Sequence, residues 1–158
     1  MWQAASSGGY STYASPPDIH MGDRGKIWDP LRRKMVALTP EEQVRQWFIS
    51  LLRDTAGVPQ HLMMSEASLR LGAKQWRADI LVYDRNSSPL MVVECKRPEL
   101  ALSKEVLEQA IRYDSVLGVR CIVVTNGTRT CVALRDSAGQ NSFGFVDRLP
   151  SYEELLGL

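Results

Sequence analysis

A chain of 158 residues, 44% hydrophobic and 23% charged, has the length and composition of one ordinary soluble domain with a real core. Its net charge of +1 excludes a global field for polyanions, so any nucleic-acid surface must be local. Cys95, Cys121 and Cys131 are odd in number, widely spaced and form no C-x-x-C pair, which excludes a disulfide framework and a zinc ribbon and predicts a reducing, cytoplasmic setting.

In chain order, residues 1–25 come first. They are rich in Ser, Gly, Pro and Tyr, show no period, and are expected to be a flexible tail ahead of a single domain over 26–158. Within the tail, Asp18-Ile19-His20-Met21 resembles translated cloning-vector sequence ahead of a start at Met21, so residues up to His20 are expected to be vector-derived. No run approaches a membrane span, and no apolar signal core opens the chain.

The first helix announces its start with Thr39 as N-cap, Pro40 at the first helical position and Glu42 three residues after the cap. Val44, Trp47, Phe48, Leu51 and Leu52 then recur at helical spacing, and Gly57 and Pro59 end the run. Strands are expected from His61 to Leu69, from Gln75 to Tyr83 and through Leu90-Met91-Val92-Val93, the last following the turn signal Asn86-Ser87-Ser88-Pro89. Ser103 caps a second helix with a stripe of Val106, Leu107, Ala110, Ile111 and Leu117, stopped at Gly118. Two strands, from Arg120 to Thr125 and from Thr130 to Leu134, are expected to join across Asn126-Gly127. An edge strand at 143–146 and a last helical turn at 152–156 complete a mixed α/β (α+β) chain of order α-β-β-β-α-β-β.

The third strand ends in charge. In "PLMVVECKRPEL", Glu94 and Lys96 share one face of a strand that Pro98 stops. Asp79 interrupts the apolar strand before it, in "WRADILVYD". If the two strands form an antiparallel hairpin, Asp79 lies beside Glu94, and two adjacent carboxylates call for a proton or a cation between them. Magnesium is the natural cation for such a pair, since it takes oxygen ligands and keeps waters when held by one or two carboxylates. A lysine aimed at the same spot can orient or deprotonate a water, or stabilise the charge of a phosphoryl transition state. These are the parts of metal-assisted phosphodiester hydrolysis. A solvated ion pair at a strand end is the plain structural alternative.

"RADILVYD…PLMVVECKRP" resembles the core motif of the PD-(D/E)XK nuclease superfamily, an Asp, a spacer, then Glu-x-Lys. The closer resemblance, running from "IWDPLRRKMVALTPEEQVRQ" through "VVTNG", is to the N-terminal nuclease domain of type I restriction enzyme R subunits, in particular to short stand-alone proteins made of that domain. In "EQAIRYD", Gln109 and Tyr113 match the Gln-x-x-x-Tyr motif of such subunits, while the proline of the core motif is replaced by Ala78. The resemblance implies a restriction-endonuclease-like core and a magnesium-dependent deoxyribonuclease, an endonuclease in which manganese can substitute. It implies Asp79, Glu94, Lys96, Gln109 and Tyr113 as catalytic residues, and Asp79 and Glu94 as metal ligands joined by an acid from the first helix. Glu41 is preferred over Glu42 for that acid, because Glu42 completes a capping box with Thr39.

DNA is the implied partner, with restriction-modification or helicase subunits beyond it, and Arg97, Lys104 and Arg112 are candidate phosphate contacts. The chain carries no G-x-x-x-x-G-K-[ST] loop, hence no ATP motor of its own. The reading from another class is a non-cleaving nucleic-acid-binding or assembly module that retains the nuclease fold.

Overall fold

The computed structural model describes residues 25–137 and 142–158. The expected tail lies outside the described residues except for Gly25, as does the vector-like stretch at 18–21. The described part opens with a hairpin that the sequence pattern does not announce, β1 (Lys26–Asp29) and β2 (Lys34–Ala37). Its strands are too short for a readable alternation. The turn is made by Asp29, whose Oδ1 accepts from the amides of Leu31 at 2.8 Å and Arg32 at 3.1 Å.

Helix α1 (Pro40–Asp54) starts where the sequence places it, with Thr39 Oγ1 accepting from the Glu42 amide at 3.1 Å. The capping box is only half made. The Thr39 amide donates to the Ala37 carbonyl, and the Glu42 carboxylate is drawn away to Arg32 and Arg45. Val44, Phe48 and Leu52 of α1 are buried against the sheet. Trimming Phe48 to alanine in so full a core costs about 3–5 kcal/mol.

Six strands form one sheet in sequential order: β3 (Met63–Leu71), β4 (Lys74–Tyr83), β5 (Pro89–Cys95), β6 (Cys121–Thr125), β7 (Thr130–Arg135) and β8 (Phe143–Val146). All neighbours are antiparallel except β5 and β6, which run parallel because α2 (Lys104–Asp114) makes the crossover between them. With α3 (Tyr152–Leu156) closing the chain, the order expected from the sequence is present as α1-β3-β4-β5-α2-β6-β7. Side-chain alternation divides the core. Ile80, Val82, Met91 and Val93 face α1, while Leu81, Val92 and Ile122 face Ile111 of α2.

One strand is shifted along the chain and one turn differs in kind from the sequence pattern: β3 runs Met63–Leu71 where His61 to Leu69 is expected. Gln60–Leu62 form a 3-10 turn, so β3 begins at Met63 and not at His61. The β6–β7 connection is a four-residue loop, Asn126 to Arg129. There Asn126 Oδ1 accepts from the amides of Thr128 at 2.9 Å and Arg129 at 2.7 Å, which replaces the tight two-residue turn with a side-chain-capped one.

Candidate active site

The β4–β5 register sets the site. Ile80 pairs with Val93, so one step further along the hairpin Asp79 stands opposite Glu94. Asp79 is held on both oxygens: Oδ2 accepts from the Cys95 amide at 2.7 Å and Oδ1 from Arg45 Nη2 at 3.1 Å. Arg45 projects from α1 with its side chain only 5% exposed and serves several acids. Its Nη1 lies 2.9 Å from Glu42 Oε2, an ion pair without hydrogen-bond alignment, and 3.1 Å from Glu66 Oε1. Glu41 is more distant, at 3.9 Å. Glu66 reaches this cluster from β3 with φ at +51°, a left-handed conformation that a glutamate rarely adopts. Such strain is held only where the surroundings over-determine it, and here two ion pairs fix the side chain.

Glu94 faces the α2 side, as Val92 does, and meets Asp114 at the end of that helix. Asp114 is completely buried. With both carboxylates ionised, Glu94 Oε1 and both oxygens of Asp114 have no donor among the described residues. Either a shared proton or a cation supplies the missing partner. Burial, then the neighbouring Asp114 and Asp79 carboxylates, push Glu94 well above the usual carboxylate range. Burial also raises Asp114, against the hydrogen bond with Glu94. Glu41 is raised too, by burial and by the charge of Asp79.

Lys96 lies just past β5, where its amide donates to the Thr125 carbonyl at 2.8 Å and carries the strand direction one bond further. Its half-buried ammonium acts electrostatically on Glu41 and Asp114. Two cavities meet at Glu94 and Arg77. One, of about 300 Å³, is bordered by Asp79, Glu94, Glu41, Arg45 and Glu66. The other, of about 440 Å³, is bordered by Glu94, Lys96, Gln109 and Tyr113. Gln109 and Tyr113 stand one helical turn apart on α2 and face the lysine's cavity together. The Tyr113 hydroxyl accepts from the Arg77 amide at 3.3 Å, and its ring packs on Trp76 with centroids 4.2 Å apart.

A magnesium ion fits this donor set in part. Two carboxylates side by side suit a hard cation that keeps its waters, and Glu94 Oε1 is a buried oxygen without a donor. Among the described residues, no three His, Cys, Asp or Glu side chains form a ready ligand set. The reason is visible: Arg45 already takes Asp79 Oδ1, and Glu41 leans toward Arg45.

The family model described as type I restriction enzyme R protein N terminus matches residues 40–150. The chain belongs to this family. R-protein N termini are the nuclease-type domains of type I restriction enzymes. Among solved structures, the chain is similar to a fragment assigned as an HsdR subunit of a type I restriction enzyme from Vibrio vulnificus YJ016, at 22% identity and a TM-score of 0.47. That match covers 67% of this chain and 22% of the solved one, so the chain spans about a fifth of the length of its relative. The comparison with curated proteins finds no match.

In this R-protein N-terminal domain, Asp79, Glu94, Lys96, Gln109 and Tyr113 border the two adjacent cavities. Glu41 borders the acid-lined one with its side chain half exposed, whereas Glu42 is buried in ion pairs with Arg32 and Arg45. Arg97 lines a different groove, Lys104 pairs with Glu108 at 3.8 Å on the exposed face of α2, and Arg112 is exposed in that helix's last turn. Sequence reasoning missed Arg45, Glu66 and Asp114. For Asp114 a signal existed: it continues the stripe of Leu107 and Ile111, so its carboxylate falls on the buried side of the helix. Arg45 likewise precedes Ile49 by four and Leu52 by seven. Nothing in the letters around Glu66 signals its backbone. No helix among the described residues is long and apolar enough to cross a membrane.

Proposed function

We propose that this R-protein N-terminal domain is a metal-dependent DNA endonuclease. The observation that carries the reading is the placement of Asp79, Glu94, Lys96, Gln109 and Tyr113 around two adjacent cavities that Glu94 borders on both sides. Asp79 and Glu94 are the residues that would hold magnesium or manganese, with Glu41 beside them. When bound, the ion supplies charge stabilisation at a phosphoryl oxygen and lowers the pKa of water. The chain's own residues do the rest. The Cys95 amide and Arg45 fix the Asp79 carboxylate. Lys96 places a positive charge on the cavity it shares with Glu94, Gln109 and Tyr113, where it orients an attacking water or meets the charge that develops on phosphate. Gln109 offers an amide to the same space. Tyr113 holds the α2 face against the β4 backbone through its hydroxyl.

DNA is the proposed substrate, and restriction-modification or helicase subunits are the proposed partners. A second reading, a non-cleaving assembly module, is favoured by one observation: the Arg45 guanidinium occupies Asp79 Oδ1. Incubation of plasmid and linear DNA with the protein in Mg²⁺ or Mn²⁺, against EDTA and a Glu94→Ala control, separates the two. Metal-dependent cutting lost in the variant supports the nuclease. DNA left intact in both metals selects the module.

A further inference from the structure

Hairpin β1–β2 precedes the stretch matched by the R-protein family and takes no part in the six-stranded sheet. Its two faces differ. Ile27, Asp29 and Val36 turn inward, while Lys26, Trp28, Met35 and Ala37 make an outer face on which all four are exposed. Trp28 stands directly across from Met35, and the two are 53% and 47% exposed. An indole and a thioether left side by side in water forgo much of the burial energy of large apolar side chains. Cations flank the pair along the hairpin. Lys26 shares its face, and Arg33 and Lys34 sit at the turn end, all exposed. Residues 26–34 hold four cations and one carboxylate, although the whole chain nets only +1.

The hairpin is also tied to the acids. Arg32 pairs with Asp29 and Glu42, and Glu42 pairs with Arg45, which holds Asp79. Val36 and Arg97 line a groove of about 540 Å³ that runs to Glu41, Arg45 and Glu66, residues shared with the acid cavity.

We propose that the hairpin is a DNA-binding arm. Lys26, Arg33 and Lys34 meet the phosphates of a single-stranded or frayed segment, one unpaired base stacks on Trp28, and the strand continues along the groove toward the acids. Concentrated cations around an exposed aromatic are the pattern by which single strands are held without sequence preference. The inference rests on the nuclease reading only for what happens at the acids, since binding at the arm needs no cleavage.

The test is fluorescence anisotropy of a labelled single-stranded oligonucleotide with the full chain in EDTA, over a salt series. Trp28→Ala is expected to weaken binding about tenfold. The triple variant Lys26→Ala, Arg33→Ala, Lys34→Ala is expected to flatten the dependence of log affinity on log salt by about two. All four side chains are exposed, and matching melting curves verify that the variants fold. Affinity and salt slope unchanged in both variants, or no binding by the wild type, overturns the arm. Trp28-dependent self-association in sedimentation with DNA binding unaltered overturns it as well, and makes the face a protein contact. The same proteins assayed in Mg²⁺ keep the two readings apart. Arm-dependent binding without cutting sinks only the nuclease, and cutting with arm-independent binding sinks only the arm.

Discussion

Arg45 Nη2 lies 3.1 Å from Asp79 Oδ1, although the two residues are 34 positions apart and the arginine side chain is almost wholly buried. The contact joins α1 to the β4–β5 hairpin at the point where the acids gather. A guanidinium there resolves, in part, the repulsion that Asp79 and Glu94 otherwise impose on each other. It also sets a condition on metal binding, because an ion at Asp79 competes with Arg45 for Oδ1.

Removal of this cation leaves Asp79 and Glu42 as charges with too few partners. Arg45→Leu is expected to cost about 3–5 kcal/mol, the range for breaking one partner out of a buried ion cluster. Urea denaturation measures it as a fall in midpoint at constant slope. A midpoint equal to wild type would show that the cluster contributes nothing to the fold.

Asp79→Asn answers a narrower question. On like-charge repulsion alone, the change leaves stability intact or raises it. The contacts argue otherwise, since an amide keeps an acceptor for the Cys95 amide but loses the charge-assisted bond to Arg45. A loss of about 1.5–3 kcal/mol is expected, together with loss of cleavage. Calorimetry that finds Asp79→Asn more stable than wild type would give repulsion the larger share.

Stability without metal should depend on pH through Glu94 and Asp114. Both are raised above their ordinary values by burial and by neighbouring acids, Asp114 to about 7. The folded state therefore binds more protons than the unfolded one. This stabilisation is fully present below the ordinary carboxylate range and is lost as pH rises through the folded-state values. The wild type in EDTA is expected to weaken from pH 5 toward pH 8 by more than Asp114→Asn does, measured as urea midpoints across that range. Parallel profiles for the two proteins would remove the shared proton from the account.

Tyr113→Phe deletes a hydroxyl that accepts from the Arg77 amide and leaves the ring on Trp76. The direct effect is on the seam between α2 and β4, at about 0.5–1.5 kcal/mol. Cleavage should fall by less than about tenfold, the factor that corresponds to roughly 1.4 kcal/mol in a barrier. Gln109→Ala leaves this seam untouched and removes an amide facing the Lys96 cavity. Steady-state kinetics of both variants checks the division of labour. A hundredfold loss in Tyr113→Phe with unaltered stability would return the hydroxyl to the chemistry.

The main elements of the fold were legible because each carries a local signal. Thr39 and Ser103 mark helix starts by side-chain acceptance, and the apolar run at Leu90–Val93 marks a strand covered on both faces. Asp79, Glu94 and Lys96 were legible for the opposite reason, as charges where the pattern asks for apolar residues. Arg45 was not, because a cation on a helix reads as solvated unless the acid that buries it is known, and that acid is brought in by the sheet. Asp114 reads as one more charge at a helix C-terminus, although its place on the stripe of Leu107 and Ile111 points it inward. Glu66 and the β1–β2 hairpin depend on backbone conformations that their residue types do not announce.

Single-turnover cleavage of plasmid DNA in Mg²⁺, by wild type beside Glu94→Gln, tests the central claim most directly. The glutamine keeps the size of the side chain and a donor for Asp114, so the fold is retained while the candidate ligand is lost. The account predicts Mg²⁺-dependent cutting by the wild type, abolished by EDTA, and a fall of at least about a hundredfold in Glu94→Gln, or roughly 2.7 kcal/mol in the barrier. Equal cutting rates in the two proteins, or a wild type that leaves the plasmid intact with the metal present, would contradict it.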